Sequence, residues 1–292
     1  MRWSPLLLLV PLASCSSLPE VPAPWEPTES QLAEPTQPAE AAAPGWIKIG
    51  TSVRGKPLEA LTLGNGPKRI YIIGGIHGDE PEGPAVAARL PAALLSDFVS
   101  EAGERITLRI VRDMNPDGTS SGVRGNTRGI DLNRNWPSRD YRAEKLPGAG
   151  SGRRAASELE VATIQADLAA FKPDVVIVFG TASTGRGPEV SCVGRSPVAA
   201  YDFSGGARAA DPRWRVLRDP RHIVPGSVES YVGNDLGKSV LAIDFKRGGD
   251  LATNVKAARG GILALGAAAS TPKAKAKPAA ESAPVKAPIL GH

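Results

Sequence analysis

"RIYIIGGIHGDEPEG" (69–83) governs how the rest of the chain is read. Its first half is a run of β-branched and aromatic residues closed by two glycines, the pattern of a strand buried on both faces. Its second half sets His77 and Glu80 three residues apart, just past the strand's carboxyl end. Open α/β sheets bind ligands in the crevice beyond those ends. Imidazole and carboxylate are zinc donors, so the pair has the composition of half a zinc site. The H-x-x-E spacing alone is common, and a surface turn is its ordinary explanation. Glycines at 74, 75 and 78 allow a tight turn and a close backbone approach to a ligand.

Working outward, "ITLRIVR" (106–112), "DVVIVFG" (174–180) and "SVLAIDF" (239–245) repeat the near-continuous apolar run, and "PLEALTLG" (57–64) reads as an edge strand. Between them, "EGPAVAARLPAALLSDFV" (82–99), "SELEVATIQADLAAF" (157–171) and "DLATNVKAARGGILALG" (250–266) have helical character, with Ser157 as the expected N-cap of the second. This alternation predicts a single α/β domain with a mixed, mostly buried sheet flanked by helices. No internal repeat is present.

The ends of the chain have a different composition. "MRWSPLLLLVPLASC" pairs a basic residue with a short apolar stretch and small residues before Cys15, the form of an export signal. The stretch is too short for a membrane-spanning helix. "LASC" resembles a bacterial lipobox, so residues 1–14 read as a lipoprotein signal and Cys15 as the lipidation site; a plain secretory signal is the alternative. Residues 15–44 hold seven prolines and read as a stiff tether. The folded domain is expected over 45–268, followed by a Lys/Pro/Ala-rich tail (269–292) with no apolar periodicity, which reads as disordered. These features place the protein in the cell envelope, anchored to a membrane through its N-terminal lipid, at the outer membrane if the source is Gram-negative.

Hydrophobic residues make up 41% of the 292 and charged residues 22%, which suits an ordinary globular protein. The formal net charge is +5, but part of the excess lies in the tail, and no basic stripe interleaved with aromatics suggests nucleic-acid binding. With Cys15 lipidated, Cys192 has no disulfide partner within the mature chain; it reads as a small buried residue.

"RDMNPDGTSSGVRGNTRGIDLNRNWPS" (112–138) is a long loop-like segment carrying Arg112, Arg124, Arg128 and Arg134 among several asparagines. Guanidinium groups grip carboxylates in a bidentate fork, so this composition suits anion recognition, against the plainer reading of a solvated basic loop.

Six stretches, "HGDE", "NPDG", "RGNTRGIDLNRNW", "SELE", "PGSVESY" and "SVLAIDF", follow in the order found in the zinc metallocarboxypeptidases related to carboxypeptidase A. The chain resembles most the bacterial branch that contains murein peptide amidases, and the resemblance covers roughly residues 45–266. It implies a mixed buried sheet with a funnel-shaped site, and a zinc ion held by the His and Glu of H-x-x-E and by a second His after a later strand. It also implies hydrolysis of a C-terminal amide in a peptide bearing a free C-terminal carboxylate, with peptidoglycan stem peptides as one such substrate. Carried across by position, His77 and Glu80 match metal ligands and Arg124 the arginine that polarises the scissile carbonyl. Asn133 and Arg134 match the carboxylate-binding pair, and Tyr231 lies near a substrate-covering aromatic.

Two departures limit that expectation. In "PDVVIVFGTAS", Gly180 stands where the family's second histidine belongs, and in "SVLAIDF", Asp244 stands where its general acid–base glutamate belongs. The shorter aspartate retracts the carboxylate by one methylene, and a misplacement near 1 Å can cost on the order of a hundredfold in rate. Glycine supplies no ligand atom at all, against the three protein ligands usual in catalytic zinc sites. The other histidines are His222 and His292, the latter at the end of the tail. Two functions stand open: a zinc metallocarboxypeptidase or amidase, and a catalytically degenerate relative that binds peptide carboxylates without turnover.

Overall fold

The computed structural model describes residues 45–194, 197–217 and 223–268. The signal stretch, Cys15, the tether, the tail, His222 and His292 lie outside the described residues. Strands β1 (Ile47–Thr51), β2 (Pro57–Leu63), β3 (Lys68–Gly74), β4 (Ile106–Val111), β5 (Val175–Thr181), β6 (Glu189–Val193), β7 (Arg215–Val216) and β8 (Ser239–Phe245) form one sheet in the order β1-β2-β4-β3-β5-β8-β6-β7. The four central strands, β4, β3, β5 and β8, run parallel. On one side β2 and β1 continue the sheet antiparallel; on the other, β6 pairs antiparallel with β8 and parallel with β7. The sheet is therefore mixed, as the sequence predicts.

Alternation along the central strands sends successive side chains to opposite faces. Ile70, Ile72, Ile177, Phe179, Leu241 and Ile243 join one buried cluster, which packs against α1 (Glu82–Ser100), α5 (Val198–Ala207) and α6 (Leu251–Ala268). Tyr71, Ile73, Val176, Val178 and Val240 join the other, beneath α4 (Leu159–Phe171) and the irregular segment around Leu132 and Trp136. Burial on both faces explains why these strands read as unbroken apolar runs. On α1 the buried residues Val86, Ala87, Leu90, Leu94 and Phe98 recur at three- and four-residue intervals. Each large aliphatic side chain buried in this way contributes about 1.5–3 kcal/mol.

Ion pairs tie helices across the layers. Asp167 on α4 accepts from Arg109 on β4 (2.6 Å) and from the Tyr71 hydroxyl on β3 (2.8 Å). Asp97 on α1 takes both Nε and an Nη of Arg259 on α6, at 2.7 and 2.6 Å.

One local expectation is corrected. Helix α4 starts at Leu159 with Glu158 at the capping position and no side-chain cap. Ser157 donates to Glu158 Oε1 instead (2.8 Å), and the other oxygen of that carboxylate accepts from Asn126 Nδ2 (2.8 Å). Cys192 sits on β6, partly buried, and burial pushes its thiol pKa up to about 11.

Candidate functional site

The strand ends position the site. After β3 the chain turns through Gly75, whose φ of +66° is a left-handed conformation that favours glycine. The loop that follows is held from below. Met114 N donates to Gly74 O (2.7 Å), Asn115 Nδ2 to Ile76 O (3.2 Å), and Gly78 N to Arg124 O (3.2 Å). Gly78 lies so close to the backbone of Gly118 that a β-carbon would come within 2.0 Å of it. This segment, 114–121, includes the short helix α3 (Pro116–Ser121), whose N-cap Asn115 accepts from Gly118 N (3.0 Å).

The neighbouring loop, 124–131, is equally fixed. Buried Asn126 accepts from Arg128 N and Ile130 N and donates to Glu158, and Glu160 lies 3.5 Å from the same amide nitrogen. "SELE" thus supplies the two glutamates that clamp "RGNTRG". Asp131 N donates to Gly150 O (2.9 Å), which closes the loop against the segment beyond it.

These two loops bring His77, Glu80, Arg124, Asp131 and Arg134 together. His77 Nδ1 lies 3.1 Å from Glu80 Oε1, and Nε2 lies 3.1 Å from Asp131 Oδ1. Asp131 Oδ2 accepts from Arg124 Nε (3.0 Å) and stands 3.9 Å from Arg134 Nε. Arg124 also stands 3.7 Å from Glu80 Oε1, whose other oxygen accepts from Thr181 N (3.1 Å) at the end of β5. Burial opposes a charge on His77, but hydrogen bonds to Asp131 and Glu80 outweigh it and carry its pKa to about 9. Burial likewise opposes charge on the two carboxylates. The facing His77 and Arg124 nevertheless hold Glu80 below, and Asp131 well below, the usual carboxylate range.

Asp131 is the site residue that the sequence reading missed. It is completely buried, and it orients both an imidazole and a guanidinium. Its place in "IDLNRNW", two residues before Asn133, was the available signal.

Asn133 is committed to the fold as well as to the site. Its Oδ1 accepts from Val228 N (2.9 Å) and its Nδ2 donates to Glu229 Oε2 (3.1 Å), so it docks the π-helical turn Glu229–Asp235 beside the cluster. Arg134 keeps 23% of its side-chain surface exposed and Arg124 38%, so both guanidinium groups reach the opening. Tyr231 lies in the same π-helical turn and is half-buried. Its ring stacks on buried Trp136, with centroids 5.9 Å apart, and its hydroxyl lies 3.4 Å from Gln165 on α4.

Gly180 and Asp244 are cross-strand partners on β5 and β8. Alternation puts both on the face that carries Val178 and Val240. A β-carbon on Gly180 would lie 2.8 Å from Asp244 Oδ1 and 3.0 Å from Glu80 Oε2. The two carboxylates therefore crowd the space in which a side chain at 180 would begin and would have to shift to admit one.

The ends of the parallel strands and the loops beside them thus gather a His–Glu pair and two convergent arginines. Comparison with known proteins gives the family. Residues 42–179 match the model of the zinc carboxypeptidase family. Over 100 residues the chain is 34% identical to carboxypeptidase SOL1 of Arabidopsis thaliana, covering 30% of this chain and 20% of that protein. Over 139 residues it is 30% identical to murein peptide amidase A of Escherichia coli K12, covering 46% of this chain and 52% of the relative. The chain thus spans about half, or less, of these relatives' length. The crystal structure of a murein-tripeptide amidase from Escherichia coli O157 superimposes with a TM-score of 0.55 at 20% identity, over 77% of this chain and 92% of that one. At that identity the likeness establishes the fold.

The family match implies zinc, and the donors among the described residues do not complete its usual set. His77 Nδ1 and the Glu80 carboxylate face one another, and Asp131 takes the other imidazole nitrogen. Among the described residues, no three His, Cys, Asp or Glu side chains are grouped so as to share an ion. A catalytic zinc ordinarily has three protein ligands.

Proposed function

We propose that this domain recognises peptides by their free C-terminal carboxylate and does not hydrolyse them. Arg134, with Arg124 beside it, is the docking group, and the ligand's carboxylate adds to the charge pattern organised by Asp131. Guanidinium–carboxylate pairs are charge-assisted and directional, which suits recognition of a chain end. The observation that carries the non-hydrolytic part is Gly180, whose side-chain space is crowded by Asp244 and Glu80. The names of the relatives favour stem peptides of the cell wall as ligands. The N-terminal signal and Cys15 support a lipid-anchored location in the envelope. The retained His77 and Glu80 favour a second reading, hydrolysis of the same peptides.

Calorimetric titration with a short peptide, compared with its C-terminal amide, tests the reading. The free acid should bind, the amide should not, and Arg134→Ala should weaken binding by about tenfold or more, as expected for loss of a charged hydrogen bond. Mass spectrometry of the peptide after prolonged incubation, with zinc content measured in parallel, separates the two readings. Stoichiometric zinc together with release of the C-terminal residue would establish the hydrolase. Equal binding of acid and amide would refute the carboxylate pocket.

A further inference from the structure

Behind the loop that carries Arg124 and Asp131 is a concavity of about 880 Å³ that the strand-end cluster does not use. One wall is Arg128–Ile130; the other is the strap from Ala143 to Arg153. The strap is a built element. Buried Ser151 donates through its hydroxyl to Arg142 O (2.7 Å) and accepts from Glu144 N (2.6 Å), and Tyr141 donates to Gly152 O (3.1 Å). An isolated bridge between Ile130 and Gly150 joins the two walls.

The lining combines an apolar floor with a cationic rim. Ile130, Leu146 and Pro147 supply apolar surface, and Leu146 is 51% exposed. Arg128, Lys145 and Arg153 stand exposed around it, with Arg154 next to Arg153. Among the described residues Lys145 and Arg153 take part in no ion pair. Glu158, the buried acid at the base, is already engaged by Asn126, Ser157 and Arg128. Exposed Glu144 also lines the groove and Arg128 is shared with Glu158, so Lys145, Arg153 and neighbouring Arg154 carry the positive charge left for a ligand to neutralise.

We infer that this groove binds an acidic, extended segment of a partner protein, its apolar side chains on Ile130 and Leu146 and its carboxylates toward Lys145, Arg153 and Arg128. Charge complementarity selects an anionic ligand. The apolar floor selects a polypeptide over a polyphosphate chain, whose backbone has no use for Leu146. Among the described residues the groove is lined by no aromatic side chain on which a nucleic-acid base could stack. A volume of several hundred cubic ångströms is in the range that encloses a ligand of a few residues.

The test uses the full chain and a fluorescein-labelled peptide of alternating glutamate and leucine, blocked as a C-terminal amide so that it cannot use the carboxylate pocket. Fluorescence anisotropy should show saturable binding that weakens as salt is raised. The double variant Lys145→Glu/Arg153→Glu, both exposed positions remote from the His77 cluster's contacts, should bind about tenfold or more weakly. Arg134→Ala should leave this binding unchanged. Absence of binding, unchanged binding by the charge-reversed variant, or equal binding of inorganic polyphosphate would each overturn the assignment. Loss of binding in Arg134→Ala would move the peptide to the strand-end pocket and also overturn it. If free-acid peptides fail to bind while the amidated acidic peptide succeeds, the carboxylate-recognition proposal fails and the groove stands.

Discussion

Replacing Asp113 by asparagine should stabilise the domain at neutral pH. Asp113 follows β4 and lies under the turn that launches the His77 loop; a β-carbon on Gly75 would sit 2.5 Å from its Oδ1. Burial raises its pKa from 3.8 to about 6, although the backbone N–H of Asn115, 2.8 Å from Oδ1, favours the charged form. A raised acid pKa means that the folded state holds the proton more tightly than the unfolded chain. Its contribution is fully present below about pH 4 and lost as pH rises through about 6. At about 1.4 kcal/mol per tenfold, ionising Asp113 costs the folded state about 3 kcal/mol by pH 7. Asparagine keeps the acceptor for Asn115 N and cannot ionise. Urea unfolding of both proteins at intervals from pH 4 to pH 8 should show the variant gaining about 2–3 kcal/mol at the upper end and none at the lower. A difference that is absent at pH 7, or constant across the range, would refute the burial argument.

Other consequences are as direct. Gly78→Ala puts a β-carbon 2.0 Å from the Gly118 carbonyl carbon, so the His77 loop must lift. A loss of about 1–3 kcal/mol or more in urea is expected, and a smaller loss would mean that the two loops are not in contact. In a Cys15→Ser background, Cys192 should react with a disulfide reagent at pH 8 about a hundredfold more slowly folded than unfolded, because its thiol pKa moves from 9.0 to about 11. Equal rates would show that the thiol is not shielded on β6.

The parts of the fold legible in sequence are those whose burial is uniform. β3, β4, β5 and β8 are apolar on both faces and announce themselves as runs, and α1, α4 and α6 carry long apolar periodicities. What was missed lies at the margins. β1 is an edge strand with exposed Ile47 and Lys48, β6 mixes Glu189, Ser191 and Cys192, and β7 has only two residues. Helix α5 contains the pair Gly205–Gly206, which argues locally against a helix; Gly206 is required because the backbone of Gly260 on α6 comes within 2.1 Å of where its β-carbon would be. For the site, position in a motif pointed to His77, Glu80, Arg124 and Arg134, whose side chains lie together around Asp131. It could not reveal that Asp131 joins them, that Asn133 spends both ends of its amide on residues 228 and 229, or that Tyr231 packs on Trp136. Those facts depend on which loops touch, and that is a property of the assembled sheet.

The Gly180–Asp244 pairing also has a consequence for how variants here are to be read. The two positions are cross-strand partners, and a β-carbon at 180 would lie 2.8 Å from Asp244 Oδ1, so neither can be changed without regard to the other. A larger residue introduced at 180 alone meets the Asp244 and Glu80 carboxylates before it can reach outward. The effect of a double replacement at 180 and 244 is therefore not the sum of the two single ones, because each alters the space in which the other is accommodated.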